Sequence, residues 1–354
     1  MKQKLPDIGK ISQRVFEELI YPRLGAKSRR VLVGPMHGID VGIIRVGNRA
    51  LALTTDPVFI VPEYGWERAA WFAIHILLSD VVTSGLKPAW LAIDLNLPLS
   101  INEEQLETVW KTIHRECRRY GVNIVTGHTA RYDNCNWPMV GGATVIAEGG
   151  LTDYVSPRFA RPGDRILVTK GPAIEASGIF ATMFPKTLAR RYGAAFAKKA
   201  EKLFYKMSVV EDALAAVSVG VRQKGVTSMH DATECGLWGG LYEMAQAGGF
   251  GVRVEAERIP MLACVREICE HFGIDPYKSI SEGTLIATCR PAKAASALAA
   301  LRRKRIPAAD IGAVTKRGMV LVEAGRERPL VHPVVDPFWQ AFYSALKDHA
   351  RLEA

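Results

Sequence analysis

Three aspartates in the N-terminal part of the sequence lie where a carboxylate is expensive to bury. Asp40 follows a glycine-containing loop, Asp56 ends an apolar run, and Asp80 lies within a long apolar stretch. Carboxylates that converge raise one another's pKa, and a divalent cation removes that conflict. Mg²⁺ suits them because it takes oxygen ligands and keeps phosphates and water in its shell. The pattern predicts a Mg²⁺–nucleotide site, although a single such aspartate more often caps a helix or a turn.

Two glycine-containing segments are typical of backbone that approaches a phosphate. Gly34 and Gly38 flank a short loop whose N–H groups are expected to approach an anion, as in a nest. Gly127, His128 and Thr129 follow an expected strand, and His128 is a candidate to contact phosphate or to act as an acid or base. A buried, hydrogen-bonded histidine is the alternative interpretation. The sequence has neither a Walker A loop nor a GxGxxG turn after its first strand, so a Rossmann dinucleotide site is disfavoured.

A further polar run, His230–Gly236, ends an expected strand and precedes a helix. It supplies Asp231 together with an imidazole, a hydroxyl and a second carboxylate. A helix N-terminus at this point favours an anion. Ordinary helix capping by Thr233 and the nearby acids is the competing interpretation.

Apolar periodicity predicts the elements that position these residues, and Asn102 is predicted to cap a helix. The other main predicted helices are Asp7–Tyr21, Trp66–Thr83, Leu237–Ala247, Leu262–Phe272, Lys293–Lys304 and Trp339–Leu346. The predicted strands are Arg30–Val33, Val41–Val46, Arg49–Thr55, Pro88–Leu97, Val122–Val125, Pro138–Glu148, Arg165–Thr169, Val226–Met229, Gly251–Ala256, Gly283–Cys289, Ile311–Val314 and Met319–Val322, the last two as a closing pair. This mixed order predicts an α+β or layered α/β fold.

The length of the chain, together with proline and glycine residues that interrupt the regular pattern, predicts two domains and a tail. The 354 residues divide near Tyr154–Gly163 into residues 1–155 and 156–325, followed by a tail over 326–354. No window is long and apolar enough to span a membrane, and the first residues lack an apolar signal core, so a cytoplasmic location is expected. Six cysteines without CxxC spacing are expected to be reduced and mostly buried.

The basic balance of the chain is a weak indicator of partners. Lys and Arg number 46 against 36 Asp and Glu, a formal net charge of +10. The basic residues are spread over helices without interleaved aromatics, so solvated faces and some attraction for anionic substrates are favoured over nucleic-acid binding.

The order of these segments resembles the aminoimidazole-ribonucleotide synthetase (PurM-like) superfamily, and within it the hydrogenase-maturation, HypE-like branch. The matching segments are Arg30–Ile44, Thr55–Pro57, Ser79–Pro88, Gly127–Thr129, Gly171–Gly178, His230–Gly236, Ser281–Gly283 and Ile311–Val314. The resemblance implies an N-terminal α/β domain that dimerises into a shared β-barrel and a C-terminal α/β domain. It also implies ATP and Mg²⁺ in the cleft between them.

By that resemblance each candidate residue acquires a role. Asp40, Asp56, Asp80 and Asp231 are the expected metal and phosphate carboxylates, and His128 and Asp231 are the expected groups beside the transferred phosphoryl. The expected cofactor-binding residues are Gly34, Gly38, Asp40, Asp56, Gly127 and Thr129.

The sequence departs from the family pattern in several places. Ile39 replaces an acid beside Asp40, Ala130 replaces another after Thr129, and Glu234 replaces an arginine. The HypE branch ends in a cysteine that carries the carbamoyl group, whereas this sequence ends Arg351-Leu352-Glu353-Ala354. A carrier reaction on the chain's own terminus is therefore not expected.

The resemblance implies an ATP- and Mg²⁺-dependent enzyme that uses the γ-phosphoryl group to activate an amide or carboxylate-type oxygen, in metallocentre maturation. The expected partners are a second copy of the chain, a small-molecule or protein-borne acceptor and other maturation proteins, without nucleic acid or membrane. Two alternatives stay open. One is a small-molecule kinase like thiamine-monophosphate kinase, and the other is a relative that binds nucleotide without catalysis.

Overall fold

The computed structural model describes Ile11 and residues 13–353, and side chains as far as residue 348. The predicted helix Asp7–Tyr21 lies partly outside these residues. Within them Gln13–Val15 is α-helical, Phe16–Ile20 forms a π turn and Tyr21–Arg23 a 3₁₀ turn, where Pro22 ends the helix.

The strands are β1 (Val31–Val33), β2 (Gly42–Val46), β3 (Arg49–Phe59), β4 (Lys87–Leu97), β5 (Asn123–Arg131), β6 (Met139–Gly150), β7 (Arg165–Thr169), β8 (Val226–Ala232), β9 (Gly251–Glu255), β10 (Thr284–Cys289), β11 (Ala308–Thr315), β12 (Met319–Glu323) and β13 (Arg326–Pro329). The helices are α1 (Gln13–Val15), α2 (Trp66–Val82), α3 (Glu103–Tyr120), α4 (Ile174–Met183), α5 (Pro185–Tyr192), α6 (Ala194–Ala200), α7 (Val210–Val217), α8 (Gly236–Gly248), α9 (Val265–Phe272), α10 (Pro291–Arg303) and α11 (Pro337–Glu353).

The strands form two sheets, which confirms the predicted mixed α/β class. The first sheet has the order β1-β2-β3-β6-β4-β5, and only β4 and β5 run parallel in it. The second sheet has the order β13-β12-β9-β11-β7-β10-β8, with β12 parallel to β9. In the single chain the first sheet is open, because β1 and β5 are its edges.

One detail of the predicted topology is wrong. The segments predicted as a closing pair, β11 and β12, do not pair with each other, because β9 lies between them. The parallel β9–β12 pair depends on a crossover between distant segments, which local periodicity does not encode. β13, not predicted, adds the outer strand to β12 and brings the chain after Glu323 into the second sheet.

Helix α2 connects the two halves of the molecule. One side of it packs against β3, β6 and α3 of the N-terminal half, and the other meets α7 and β8 of the C-terminal half. It is therefore buried on nearly all sides, as its apolar sequence predicts. Asp80 lies near its C-terminal end and is carried to the boundary between the two sheets.

A candidate metal centre between the two sheets

A histidine from the second sheet contacts the first of the predicted aspartates. His230 lies on β8, and its Nδ1 is 2.8 Å from Oδ2 of Asp40, which follows the 34–38 loop. On its other side, His230 Nε2 is 3.4 Å from a carboxylate oxygen of Glu243 on α8. Burial alone would lower the pKa of His230, but the carboxylates of Asp40 and Glu243 raise it well above its usual value. The two acids therefore favour the protonated form of the imidazole that lies between them.

Asp231, the next residue on β8, adds a carboxylate to this pair. One ligand atom each from Asp40, His230 and Asp231 lie within 4.8 Å of one another. Both carboxylate oxygens of Asp231 are buried and accept no hydrogen bond. Burial, and next the charge of Asp40, raise the pKa of Asp231 to about 7.

Asp80 and Asp56 complete the group. Burial raises the pKa of Asp80 well above its usual value, and the neighbouring carboxylates of Asp231, Asp56 and Asp40 add to the increase. The hydroxyl of Thr54 on β3 donates to Oδ2 of Asp80 at 3.0 Å. The structure thus brings together the four aspartates that the sequence analysis selected, from a loop, a strand, a helix and a second-sheet strand. Their role as metal ligands stays a prediction.

Two glutamates behind Asp231 were not assigned a role by sequence reasoning. Both side-chain oxygens of Glu282 are buried without a hydrogen bond, and its backbone N–H donates to Oε2 of Glu175 at 3.0 Å. Burial, followed by the charges of Asp231 and Glu175, raises the pKa of Glu282 well above its usual value. Burial likewise raises the pKa of Glu175 to about 8. Both lie in segments noted above only for their family resemblance, and that resemblance was the one signal available for them.

We call Asp40, Asp56, Asp80, Asp231 and Glu282 the carboxylate centre. Four orphaned buried oxygens, on Asp231 and Glu282, carry a desolvation cost that hydrogen bonds do not offset. A divalent cation that takes oxygen ligands offsets it, and carboxylates are the ligands that Mg²⁺ uses. The residues present therefore fit the metal that the sequence pattern predicted, while His230 neutralises only part of the charge.

Of the two glycines in the 34–38 loop, the structure explains why Gly38 must be glycine but shows no such need at Gly34. Gly38 has φ of +75°, and a Cβ there would lie 2.3 Å from the backbone oxygen of Glu243 on α8. Glycine is thus needed for the loop to pack on the second half of the molecule. A Cβ on Gly34 would meet only Val31 at 3.6 Å, an ordinary contact. Approach of a phosphate to this loop stays a prediction.

The structure does not bring the 127–129 segment to the carboxylate centre within one chain. Asp56 on β3 pairs with Ala143, Ala143 pairs with Ile93, and Ile93 pairs with Gly127. Asp56 and Gly127 are therefore three strand spacings apart across the sheet, which is about 14 Å. A Cβ on Gly127 would lie 2.3 Å from the carbonyl oxygen of Ile93, so close strand packing alone accounts for this glycine.

His128 and Thr129 lie on this same exposed edge strand, β5. His128 pairs with Asp94 in the row next to that of Gly127, so it faces the side of the sheet opposite to Asp56. Its Nε2 is 3.0 Å from the hydroxyl of Tyr132. His128 is thus an exposed residue with a local partner, and its part in catalysis stays a prediction.

The part of the chain that the structure describes contains no helix that is both long and apolar enough to cross a membrane. The six cysteines are free, and five of them are buried, as predicted.

Two sheets with a buried group of acidic side chains at their boundary define a two-part α/β protein. The N-terminal domain model of AIR synthase related proteins matches residues 38–148, and the corresponding C-terminal domain model matches residues 161–324. The chain belongs to the AIR synthase-related family, as the order of its motifs predicted.

The curated relatives include hydrogenase-maturation proteins and a kinase. The chain is 27% identical over 287 residues to the carbamoyl dehydratase HypE of Bradyrhizobium diazoefficiens, covering 78% of this chain and 77% of the relative. It is 25% identical to a putative hydrogenase expression/formation protein of Methanocaldococcus jannaschii, covering 93% and 96%. It is 23% identical to the thiamine-monophosphate kinase of Aquifex aeolicus, covering 71% and 78%.

Solved structures of HypE share the fold. The match to HypE in a HypE–HypF complex has a TM-score of 0.69 and 20% identity, and covers 90% of this chain and 99% of that one. The match to HypE in complex with ATP has a TM-score of 0.62 and 25% identity, and covers 93% and 97%.

Proposed function

We propose that this chain is an ATP- and Mg²⁺-dependent enzyme of the HypE-like branch, and that it uses the γ-phosphoryl group to activate an amide or carboxylate-type oxygen. The observation that carries the proposal is the pair of buried carboxylates, on Asp231 and Glu282, whose oxygens accept no hydrogen bond beside three further aspartates. Relatives named carbamoyl dehydratase and a HypE structure in complex with ATP support the nucleotide and the reaction class.

In this proposal Asp40, Asp56, Asp80 and Asp231 hold the metal, which when bound neutralises charge on the triphosphate. Positioning and neutralisation of charge are the main requirements of phosphoryl transfer, so the centre needs fixed carboxylates more than a strong base. His230 fixes the carboxylate of Asp40 by its 2.8 Å contact. Thr54 holds one oxygen of Asp80 in the same way.

We propose the domain division 1–155 and 156–325 with a tail over 326–354. The first sheet spans residues 31–150 and the second begins at residue 165, which supports the first boundary. β13 pairs with β12, so the first residues of the tail extend the second sheet.

We also propose that the chain forms a homodimer through the outer face of the first sheet, closing a shared barrel. Leu53, Ile146 and Trp90 lie in one row across β3, β6 and β4 on the face opposite α2, and all three are half-buried. An apolar row open to solvent favours a protein partner. A relative has been solved as a HypE–HypF complex, which supports a maturation partner as well.

A small-molecule kinase is the second candidate function, since a thiamine-monophosphate kinase is among the relatives and shares the fold. A kinase of this kind would transfer the γ-phosphoryl group of ATP to a phosphorylated small molecule and not to an amide or carboxylate-type oxygen. Phosphoryl transfer to thiamine monophosphate, measured directly, separates the two.

The test compares Mg²⁺-dependent ATP hydrolysis of the wild type with an Asp56→Asn variant. We expect hydrolysis to fall at least about 100-fold in that variant, because a carboxylate that holds the metal is lost. Asp153→Asn is the matched control, since Asp153 is exposed and asparagine keeps the oxygen that accepts from the N–H of Gly150. Nucleotide-stabilised melting without hydrolysis in the wild type would indicate a non-catalytic binding protein. Absence of such stabilisation in the presence of Mg²⁺ would contradict nucleotide binding altogether.

A further inference from the structure

A cavity lies between the two halves of the molecule, and no residue of the carboxylate centre lines it. Its volume is about 410 Å³. It is bounded by α2 and α3 of the N-terminal half and by α7, the preceding 3₁₀ turn and the loop after α10 of the C-terminal half. The lining residues that matter here are Trp71, Lys170, Tyr205, Lys206, Asp212 and Arg305. We call it the cationic cavity.

The cationic cavity carries more positive than negative charge. Its walls hold five Lys or Arg side chains and two carboxylates: Arg119, Lys170, Lys206, Lys304 and Arg305 against Glu211 and Asp212. Asp212 pairs with Lys170 at 2.6 Å, and Glu211 pairs with Lys304 at 3.3 Å and Arg119 at 3.9 Å. Lys206 and Arg305 make no ion pair with any residue that the structure describes. Two cations thus line the same space with no acid of their own.

The walls of the cavity are fixed by buried polar contacts. The Lys170 side chain is 5% exposed, and besides its pair with Asp212 its Nζ donates to the carbonyl oxygen of Ser208 at 2.9 Å. The hydroxyl of Ser208 lies 2.7 Å from Nδ1 of His75 on α2. The Lys170 backbone N–H donates to the carbonyl oxygen of Pro307 at 2.7 Å, which ties the loop after α10 to the end of β7. These contacts join both halves of the molecule around one space.

Two of the lining cations have left-handed backbone. Lys170 and Arg305 both have φ of +59°. At Arg305 this conformation ends helix α10, since the N–H of Arg305 donates to the carbonyl oxygen of Arg302 at 2.9 Å and the N–H of Ile306 donates to that of Leu301 at 3.0 Å. The end of α10 therefore fixes the backbone of Arg305 at the edge of the cavity.

The chemistry of the walls indicates the ligand. Two unpaired cations match a phosphate, which carries up to two charges and several acceptor oxygens, better than a single carboxylate. The rings of Trp71 and Tyr205 lie edge to face at 5.1 Å in the same wall and offer an apolar surface to an organic group. The volume falls within the range of small-molecule sites.

We propose that the cationic cavity binds a small organic phosphate, held by Lys206 and Arg305 and packed against Trp71 and Tyr205. The proposal does not depend on the function proposed for the carboxylate centre. In a metal chelator the carboxylate centre is a group of acids that repels anions, so phosphate binding measured in the chelator reports on sites outside that centre.

The probe is phenyl phosphate, titrated calorimetrically into the full chain in EDTA at fixed ionic strength. The site variant is Lys206→Gln with Arg305→Asn, because asparagine tolerates the left-handed backbone at residue 305. The matched control is Lys202→Gln with Arg302→Gln, which removes the same two charges from exposed positions outside the lining.

We expect the wild type and the control to bind phenyl phosphate with the same Kd within about twofold, and the site variant to bind at least about tenfold more weakly. Inorganic phosphate is expected to bind the wild type more weakly than phenyl phosphate, since it lacks the ring. Equal weakening in both double variants, or no binding by the wild type, would overturn the proposal. Equal affinity for phenyl phosphate and inorganic phosphate would overturn the claim that Trp71 and Tyr205 bind the organic group of the ligand. Thermal melting of each variant confirms folding, and Lys206→Gln alone, on an exposed side chain, serves as the second variant.

Discussion

The Nδ1 atom of His230 lies 2.8 Å from Oδ2 of Asp40 and thereby joins the second sheet to the loop between β1 and β2 of the first. The contact with Asp40 favours a protonated imidazole among the acids of the carboxylate centre. It makes the relative position of the two sheets depend on electrostatics as well as on apolar packing.

Replacing His230 by glutamine should destabilise the metal-free protein by about 2 kcal/mol, since a charge-assisted hydrogen bond is lost and Asp40 keeps its charge among other acids. Unfolding by urea in EDTA measures the change. His114→Gln is the control, because His114 is exposed on α3. Added Mg²⁺ should return part of the loss in the His230 variant. Equal stability of the two variants would show that the contact between His230 and Asp40 does not stabilise the protein.

Gly38→Ala should destabilise the protein by about 2–4 kcal/mol, because a Cβ would lie 2.3 Å from the backbone oxygen of Glu243 and φ is +75°. Gly47→Ala isolates the backbone component. Gly47 also has positive φ, +58°, but a Cβ there meets nothing within 4 Å. We expect Gly47→Ala to cost only about 1 kcal/mol in thermal or chemical unfolding. Equal losses in the two variants would show that the loop does not pack on α8 as described.

Glu175→Gln should change how stability depends on pH. Burial raises the pKa of Glu175 to about 8 in the folded protein, whereas the usual value is 4.5. The folded state therefore binds the proton more tightly than the unfolded state, and this group's contribution falls as pH rises from about 4.5 to 8. Glutamine resembles the protonated acid, so the variant should match the wild type near pH 5 and exceed it by a few kcal/mol near pH 8.

The free energy of unfolding of the Glu175 variant is measured at several pH values in EDTA, beside Glu270→Gln. Glu270 is exposed at the end of α9 and should leave the profile of the wild type unchanged. A constant offset of the Glu175 variant at all pH values would contradict the raised pKa.

Ile146→Asp should convert the proposed dimer to a monomer, because it puts a charge in the middle of the apolar row on the outer face of the first sheet. Sedimentation or light scattering measures the mass. Val331→Asp is the control, since Val331 is 68% exposed and lies far along the chain from that sheet. A wild type that is monomeric at all concentrations, or a variant that stays dimeric, would contradict the proposed interface.

Local patterns predicted single elements well. The apolar run at 66–83 is α2, which ends one residue earlier, at Val82. The predicted cap is present, since the side chain of Asn102 accepts from the backbone N–H of Gln105 at 2.9 Å. Both features are encoded within one or two helical turns, because the spacing of apolar residues and the capping side chain determine where a helix forms and begins.

Local patterns did not predict which distant segments of the chain contact each other. β12 pairs with β9, and His230 contacts Asp40. Both contacts join segments that are distant in the sequence, so they depend on the complete fold and not on local spacing. The convergence of Asp40, Asp56 and Asp80 was predicted because burial of a carboxylate in apolar sequence already carries a cost, whereas Asp231 was added to them by the family resemblance. Glu175 and Glu282 had no comparable signal, since their sequence surroundings are typical of ordinary helix starts and turns.

The proposed function requires the carboxylate centre to hold a metal-bound triphosphate. Its most direct test is a crystal structure of the protein with Mn²⁺ and a non-hydrolysable ATP analogue, with the metal located by anomalous scattering. We expect a metal peak in contact with the phosphates, at roughly 2–2.5 Å from carboxylate oxygens of at least two of the four aspartates Asp40, Asp56, Asp80 and Asp231. A metal and triphosphate bound elsewhere, with these four carboxylates uninvolved, would contradict it.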